Sequence, residues 1–546
     1  MTVIGITFGN TSSSIAVATQ DGKVDVIANP DGDRSIPSAL SYVGSDEYHG
    51  SQAEARLIRN PENTIINFRD FIGEEFSEIK DDFSYGAKPK DVNGEITYEI
   101  TNNGKTELLS VHEIAKRHFK QLKSAAEDYI GKPVEKVVLA VPTDFSEHKR
   151  EEISKIAADA GLKVLQLINE PSAALLDHLS TENDKLKEDK IYVVADFGGT
   201  RSDGAIIAVR GGVFTILATF HQHGLGGDDL DASLSEFFAK EFEKKYKVDP
   251  RKNARSLAKL KAESIVVRKT LSNVQTSTCS IESLAEGFDF HTSINRLRYE
   301  LAAREPLSKM TAFVEKLISK AGLEPLDVDE VLLVGGCAHT PKLASNISYL
   351  FPESTKIVAP SLDPKALNPS ELIARGAALQ ASLIESFDQE EINESLQPIV
   401  VNTQHISKPI GIKDNEGKFQ PILVAETAYP IKRSIEVTNG EHSTALVQLY
   451  EGKRTVKETV VEKEKNEDDS EEEEEEEEED SDEEPEVVKE VVYEAGDLLA
   501  ELSLKDLTPN SKLEVTVNIT QNGVLHLTGR KLKQGSAPVT GEVLSQ

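Results

Sequence analysis

Two stretches of this chain read almost alike, and their likeness decides the fold. Val3 to Val17 runs VIGITFGNTSSSIAV, and Tyr192 to Val209 runs YVVADFGGTRSDGAIIAV. Each is an apolar run, a Phe-Gly turn, a few small polar residues and a second apolar run, the pattern of a glycine-closed β-hairpin. Glycine at such a turn reaches backbone angles closed to other residues and lets main-chain N–H groups approach an anion. A third glycine turn lies in VLLVGGCAHTPKL, Val331 to Leu343, where a buried-strand run meets Gly335-Gly336 and a helix pattern. Between these turns lie amphipathic helix, as over Val111 to Tyr129, and strand, as over Val134 to Val141. The arrangement predicts two related α/β lobes facing one another across a cleft, the usual place for a ligand.

Taken alone, the first hairpin is more often plain structure than a site. Its Gly9, Asn10 and Thr11 become a phosphate cradle only beside the second hairpin. There Asp196 ends a strand before Gly198, Gly199 and Thr200, so a carboxylate able to reach a metal through water adjoins a backbone nest. The Gly335-Gly336 turn is a third cradle, and Gly226-Gly227 before Asp228 is a fourth glycine pair. Thr7 stands at the end of the first strand, where a phosphate-transfer site would hold a carboxylate.

The 546 residues are too many for one ordinary core. The formal net charge is −33, unevenly spread: Glu467 to Glu486 holds 17 acidic residues and no basic one. Even outside that run, 61 basic residues face 77 acidic ones, which gives no electrostatic pull toward a nucleic-acid backbone. The run reads as a disordered loop, since adjacent glutamates repel too strongly to pack, and as a solubilising one unless a basic partner meets it. Cys279 and Cys337 form no metal or disulfide pattern, which fits a reducing compartment. No basic, apolar leader opens the sequence, and no apolar run approaches the roughly 18 residues of a membrane helix. A soluble protein of the cytosol or nucleus, with no membrane and no direct nucleic-acid contact, is expected. His221 and His223 in FHQHG lack further ligands at metal spacing, so they read as ordinary loop histidines, and no metal-ligand set is assigned.

The helix pattern after Gln380 runs on to about Glu394, and LQPIVVN, Leu396 to Asn402, reads as a linker. From Lys408 onward short strands alternate with turns, and Asn522-Gly523 between two alternating runs marks a hairpin. The expected organisation is an α/β domain over 1–387, a linker over 388–403, and an all-β sandwich over 404–546. The acidic loop, about 463–486, interrupts the sandwich, and no room for a helical lid follows.

ITFGNTSS, INEPSAALL (Ile168 to Leu176), DFGGTRSD, LGGDDLD (Leu225 to Asp231), RKTLS (Arg268 to Ser272) and LLVGGCAHTPKL, in this order, resemble the seventy-kilodalton heat-shock chaperones. The resemblance implies an actin-like ATPase domain followed by a peptide-binding β-sandwich, with ATP and Mg²⁺ as ligands. It also marks departures. The family carries an aspartate at Thr7, a catalytic lysine at Arg69, and a third glycine then a threonine at Thr200 and Arg201. Arginine at 69 keeps the charge but not the compact ammonium that positions water. Arg201 adds a bulky charge close to the nest. Glu170, Asp196, Gly198 and Gly199 are retained. On the purine side Arg268 and Ser272 match, whereas the clamp's glutamate aligns with Ile265 and its stacking arginine with His339. In the linker, Gln397 and Pro398 replace an apolar run, and proline lacks an N–H for strand-like docking.

These departures are similar to those of a ribosome-associated subgroup that pairs with a zuotin-like J-domain protein. What that implies is a subunit that binds ATP without useful hydrolysis, so no catalytic residue is assigned. It would form a stable heterodimer with the J-domain protein, reach the cytoplasmic ribosome through it, and help a second, cycling chaperone of the family act on nascent polypeptide. The alternatives are an ATP-cycling chaperone that binds and releases peptides, a nucleotide exchange factor, and a small-molecule kinase. The kinase is disfavoured by the β-domain, and the exchange factor by the missing helical extension.

Overall fold

A computed structural model describes residues 2–19, 23–79, 86–180, 188–385, 404–414, 416–461, 486–532 and 538–543. The chain divides into two compact units, Met1–Asn402 and Thr403–Gln546. The expected linker, the helix beyond residue 385 and nearly all of the acidic run lie outside the described residues.

Two of the sheets in the first unit share one plan. In the first, the strands lie in the order Lys163–Asn169, Lys136–Val141, Val3–Phe8, Ser12–Ala18, Val24–Ile27, with Ile36–Pro37 pairing to Ser12 and Ser13. In the second the order is Lys356–Val358, Glu330–Val334, Lys190–Phe197, Arg201–Arg210, Val213–His223. In both, the central strand runs antiparallel to its hairpin mate and parallel to its other neighbour. The sequence echo is therefore an echo of topology. Central strands such as Glu330–Val334 are buried at every residue, which explains their uninterrupted apolar runs: both faces are covered.

Three large apolar cores result. One lies under the first sheet, around Phe8, Phe68 and Phe119; a second lies under the other sheet, around Phe197, Phe238 and Phe313. The third lies between the sheets, where Val138, Ala140, Val194 and Leu332 meet the helices Glu170–Ser180 and Leu372–Ile384. The helix Val111–Ile130 shows why the local sequence folds as it does. Ser110 caps it by accepting from the Glu113 amide, Gly131 ends it in the left-handed region (φ 71°), and Ile114, Ala115, His118, Phe119 and Leu122 form its buried stripe. That stripe brings His118 beneath the first hairpin.

The second unit is a β-sandwich of a five-stranded sheet and a four-stranded sheet. Leu449, Leu502, Val515, Val517 and Leu527 form its core. Lys512–Ile519 and Leu525–Lys531 pair across the Asn522-Gly523 turn, where Gly523 takes φ 77°. The strands Ala445–Val461 and Glu486–Leu504 form a long ribbon whose pairing continues to Val461 opposite Glu486. Residues 462–485, which connect these two strands in sequence, lie outside the described residues.

Candidate nucleotide-binding site

The two hairpins close in the same way. The Gly9 amide donates to the Ser12 carbonyl at 3.0 Å, and the Gly198 amide to the Arg201 carbonyl at 3.1 Å. Register then fixes what each hairpin presents: Thr7 pairs with Ser14, and Asp196 pairs with Asp203. The turns touch, since the Asn10 amide side chain donates to Thr200 Oγ1 at 3.0 Å. No backbone carbonyl among the described residues accepts from the amides of Asn10, Thr11, Gly199 and Thr200, so these donors remain open to an anion.

Around the turns runs a cleft of the first unit. Gly9, Asn10 and Thr11 line it, with Gly198, Gly199 and Thr200 opposite. Arg69, Glu170 and Asp196 form its charged wall, and Gly335-Gly336 a further edge. Glycine at 335 is required twice over: its φ is 85°, and a Cβ there would stand 2.3 Å from Asp196 Oδ1.

Five of the expected residues lie elsewhere. Gly226, Gly227 and Asp228 dock on the back of the second turn, with the amides of Gly227 and Asp228 donating to the carbonyls of Gly198 and Gly199, each at 2.9 Å. A Cβ on Gly226 would lie 2.4 Å from the Gly199 oxygen, so this glycine serves turn-on-turn packing. Arg268 is buried in a bidentate pair with Asp231, at 2.6 and 3.0 Å. Ser272 donates to the Arg268 carbonyl, one turn back in their helix. Neither lines the cleft. His339 bonds to Ser370 at 3.2 Å, and Cys337, buried, donates to the Gly198 carbonyl at 3.3 Å. Burial pushes the Cys337 thiol up to about 12, so it is inert packing.

The charged wall is held tightly. Arg69 donates to Asp70 from Nε (2.9 Å) and Nη2 (2.7 Å), while Nη1 lies 3.5 Å from Glu170 Oε1 and 3.4 Å from the Phe8 carbonyl. Glu170 opens the helix Glu170–Ser180, and burial raises its pKa to about 8, with Asp196 and Asp203 adding to the rise and Arg69 opposing it. Burial and the facing Asp203 raise Asp196 to about 7. These two carboxylates, Glu170 buried and Asp196 half-buried, lack full counter-charge, a deficit a divalent cation would fill.

A network beside this wall escapes the sequence reading. Arg201 is no free charge but buried and committed: Nε donates to Asp203 Oδ2 at 2.7 Å and Nη2 to Asp144 Oδ2 at 2.8 Å. His221 and His223 are not loop residues; they end the strand Val213–His223. His221 Nδ1 lies 2.7 Å from Asp203 Oδ1. Against the upward push of burial, His223 and Arg201 hold Asp144 well below the ordinary carboxylate range. Asp203 could have been found by pairing DFGGTRSD about its turn. Asp144 carried no comparable signal.

Comparison with known proteins fits this architecture. The family described as Hsp70 protein matches residues 3–463. The chain is 52% identical to the ribosome-associated complex subunit SSZ1 of Saccharomyces cerevisiae, over 99% of each chain. It is 44% identical to a heat shock protein 70 homolog of Schizosaccharomyces pombe, over 97% of this chain and 93% of that one. To a ribosome-associated molecular chaperone of Eremothecium gossypii it is 31% identical, over 83% of this chain and 72% of that one. Twin sheets with matched hairpins, a glycine-lined cleft between them and a family match across both lobes lead to one conclusion: the chain belongs to the Hsp70 family of chaperones.

Proposed function

We propose that the cleft binds ATP with Mg²⁺ and holds it without useful turnover, and that the protein acts as the Hsp70-like subunit of a ribosome-associated complex. The single observation that carries this reading is the asymmetry of the hairpins, with Thr7 standing at the register position that Asp196 holds in the other. The open amides of Asn10, Thr11, Gly199 and Thr200 would take the phosphates, while Glu170 and Asp196 would hold the cation through its water shell. Mg²⁺ there supplies neutralisation of phosphate charge. Hydrolysis needs positioned water and charge, and loss of one such group typically costs about 10²–10³ in rate. Thr7 offers no carboxylate, and the Arg69 guanidinium is bound to Asp70, so two groups are altered at once.

The partner assignment rests on likeness to SSZ1, whose name places it in a ribosome-associated complex. On this reading the protein pairs stably with a zuotin-like J-domain protein in the cytoplasm and reaches the ribosome through it. There it assists a cycling chaperone, similar to the ribosome-associated one of Eremothecium gossypii, on nascent chains. A 1–387 nucleotide domain, a linker and a sandwich over 404–546 serve as the working division of labour. Single-turnover hydrolysis of labelled ATP, with and without a J-domain, tests the catalytic claim: strong J-stimulated turnover would establish the ATP-cycling alternative. Affinity purification from cytosol at moderate salt tests the assembly, with one J-domain partner expected to co-migrate with ribosomes.

A further inference from the structure

Beside the phosphate cradle lies a cluster that nucleotide binding alone does not call for. One ligand atom each of Asp144, Asp203 and His221 lies within 4.8 Å of the others, the spacing of groups around a shared ion. They come from three places: the turn after the strand Lys136–Val141, the second hairpin, and the end of Val213–His223. The strand register alone puts Asp203 directly opposite His221, so two of the three members are placed by the sheet.

The middle of this cluster is already bridged. Arg201 spans Asp203, through Nε at 2.7 Å and through Nη2, and Asp144, through Nη2 at 2.8 Å. Its Nη1 lies 3.8 Å from Asp70 Oδ1. The residue is 4% exposed and also lines the cleft. A guanidinium cannot be deprotonated in a protein, and its planar fork meets two carboxylates at once.

We propose that Arg201 is a resident cation, covalently tethered in the seat between Asp144 and Asp203 that a dissociable metal ion would otherwise take. This wall of the cleft then keeps its positive charge whatever the ion concentration, which suits a nucleotide that is held and not exchanged. That last link rests on the ATP reading above; the seat itself does not. Removing the guanidinium leaves the exposed Asp144 and the half-buried Asp203 and His221 at ligand spacing without the cation that now joins the two carboxylates, a seat an entering ion would fill.

The test uses the full chain, nucleotide-free, titrated with Mn²⁺ by calorimetry. Compared with wild type, Arg201→Ala is expected to bind one additional ion, and adding His221→Ala to that variant is expected to remove it. The melting temperature of Arg201→Ala should fall without Mn²⁺ and recover with it, whereas that of wild type should respond far less. Arg201→Gln, which keeps most of the volume, gives the same readout should the alanine variant not fold. Equal Mn²⁺ stoichiometry in wild type and both variants would overturn the proposal, as would loss of an ion from wild type on His221→Ala. In a second arm, Arg201→Ala should weaken ATP binding about tenfold or more, with Mn²⁺ restoring it. If wild type binds no ATP, the nucleotide reading fails while the Mn²⁺ arm still decides the role of Arg201.

Discussion

At the end of the strand Val3–Phe8, Thr7 faces Ser14; at the matching end of Lys190–Phe197, Asp196 faces Asp203. The backbones of the two hairpins agree down to the hydrogen bond that closes each turn. Their chemistry does not: one offers hydroxyls, the other carboxylates, of which Asp203 is held by Arg201. Backbone geometry is kept in both because turn-on-turn packing enforces it, and a single added Cβ would clash. The side chains at the tips are free of that constraint, so they record what the site is used for. Both hairpin turns leave backbone amides open, yet one strand end carries a hydroxyl and the other a carboxylate: symmetry in backbone donors does not bring symmetry in side-chain chemistry.

The comparison can be broken most severely at Gly335. A Gly335→Ala change places a Cβ against Asp196 in a left-handed backbone and should cost about 3 kcal/mol or more, read by urea unfolding of the full chain. A smaller cost would mean the turn yields and that packing does not enforce its shape. Next comes exchange of the tips. Asp196→Thr makes the second hairpin like the first and should weaken Mg²⁺-dependent ATP binding by about 10–100-fold, measured by calorimetry. The reverse exchange, Thr7→Asp with Arg69→Lys, should raise single-turnover hydrolysis by about 10²-fold or more. If neither rate nor affinity moves, the asymmetry is incidental.

Titration separates the lobes further. His118, buried beneath the first hairpin and 2.9 Å from Ser13 Oγ, has its pKa lowered by burial to about 3. The unfolded chain protonates this histidine first, so its stabilising contribution is complete above about pH 6.5 and declines as pH falls toward 3. At pH 5 the loss should reach about 2 kcal/mol, and His118→Gln should flatten the acid limb of a stability–pH curve. Glu170 and Asp196 have the opposite sign. Their folded values of about 8 and 7 lie above the unfolded ones, so their contribution is complete at acid pH and is lost as pH rises through that range. Glu170→Gln should therefore flatten the decline in stability between about pH 4.5 and pH 8. The mildest change is Ser13→Ala, which removes the histidine's partner and should cost about 1 kcal/mol.

Much of this was legible in the residues. The hairpins, the third glycine turn and the β-rich second unit follow from periodicity and glycine placement. Gly9, Asn10, Thr11, Gly198, Gly199 and Thr200 line the cleft as the motif order implied. What sequence could not supply was the orientation of side chains that answer to distant partners. Arg201 looked like a free charge because Asp144, 57 residues away, is invisible to local reading. The salt bridge of Arg268 to Asp231 spans two helices, so the motif RKTLS gave no sign of it. At Gly226 and Gly227 close packing and anion binding ask for the same residue, so sequence does not tell the two roles apart.

The ribbon formed by Ala445–Val461 and Glu486–Leu504 has an evolutionary consequence. Its ends are already joined, Val461 to Glu486, so the sandwich does not depend on how many residues intervene. Glutamate codons can therefore be gained or lost at this point with almost no penalty to the fold, which makes the ribbon tip a port where charge is tuned independently of architecture.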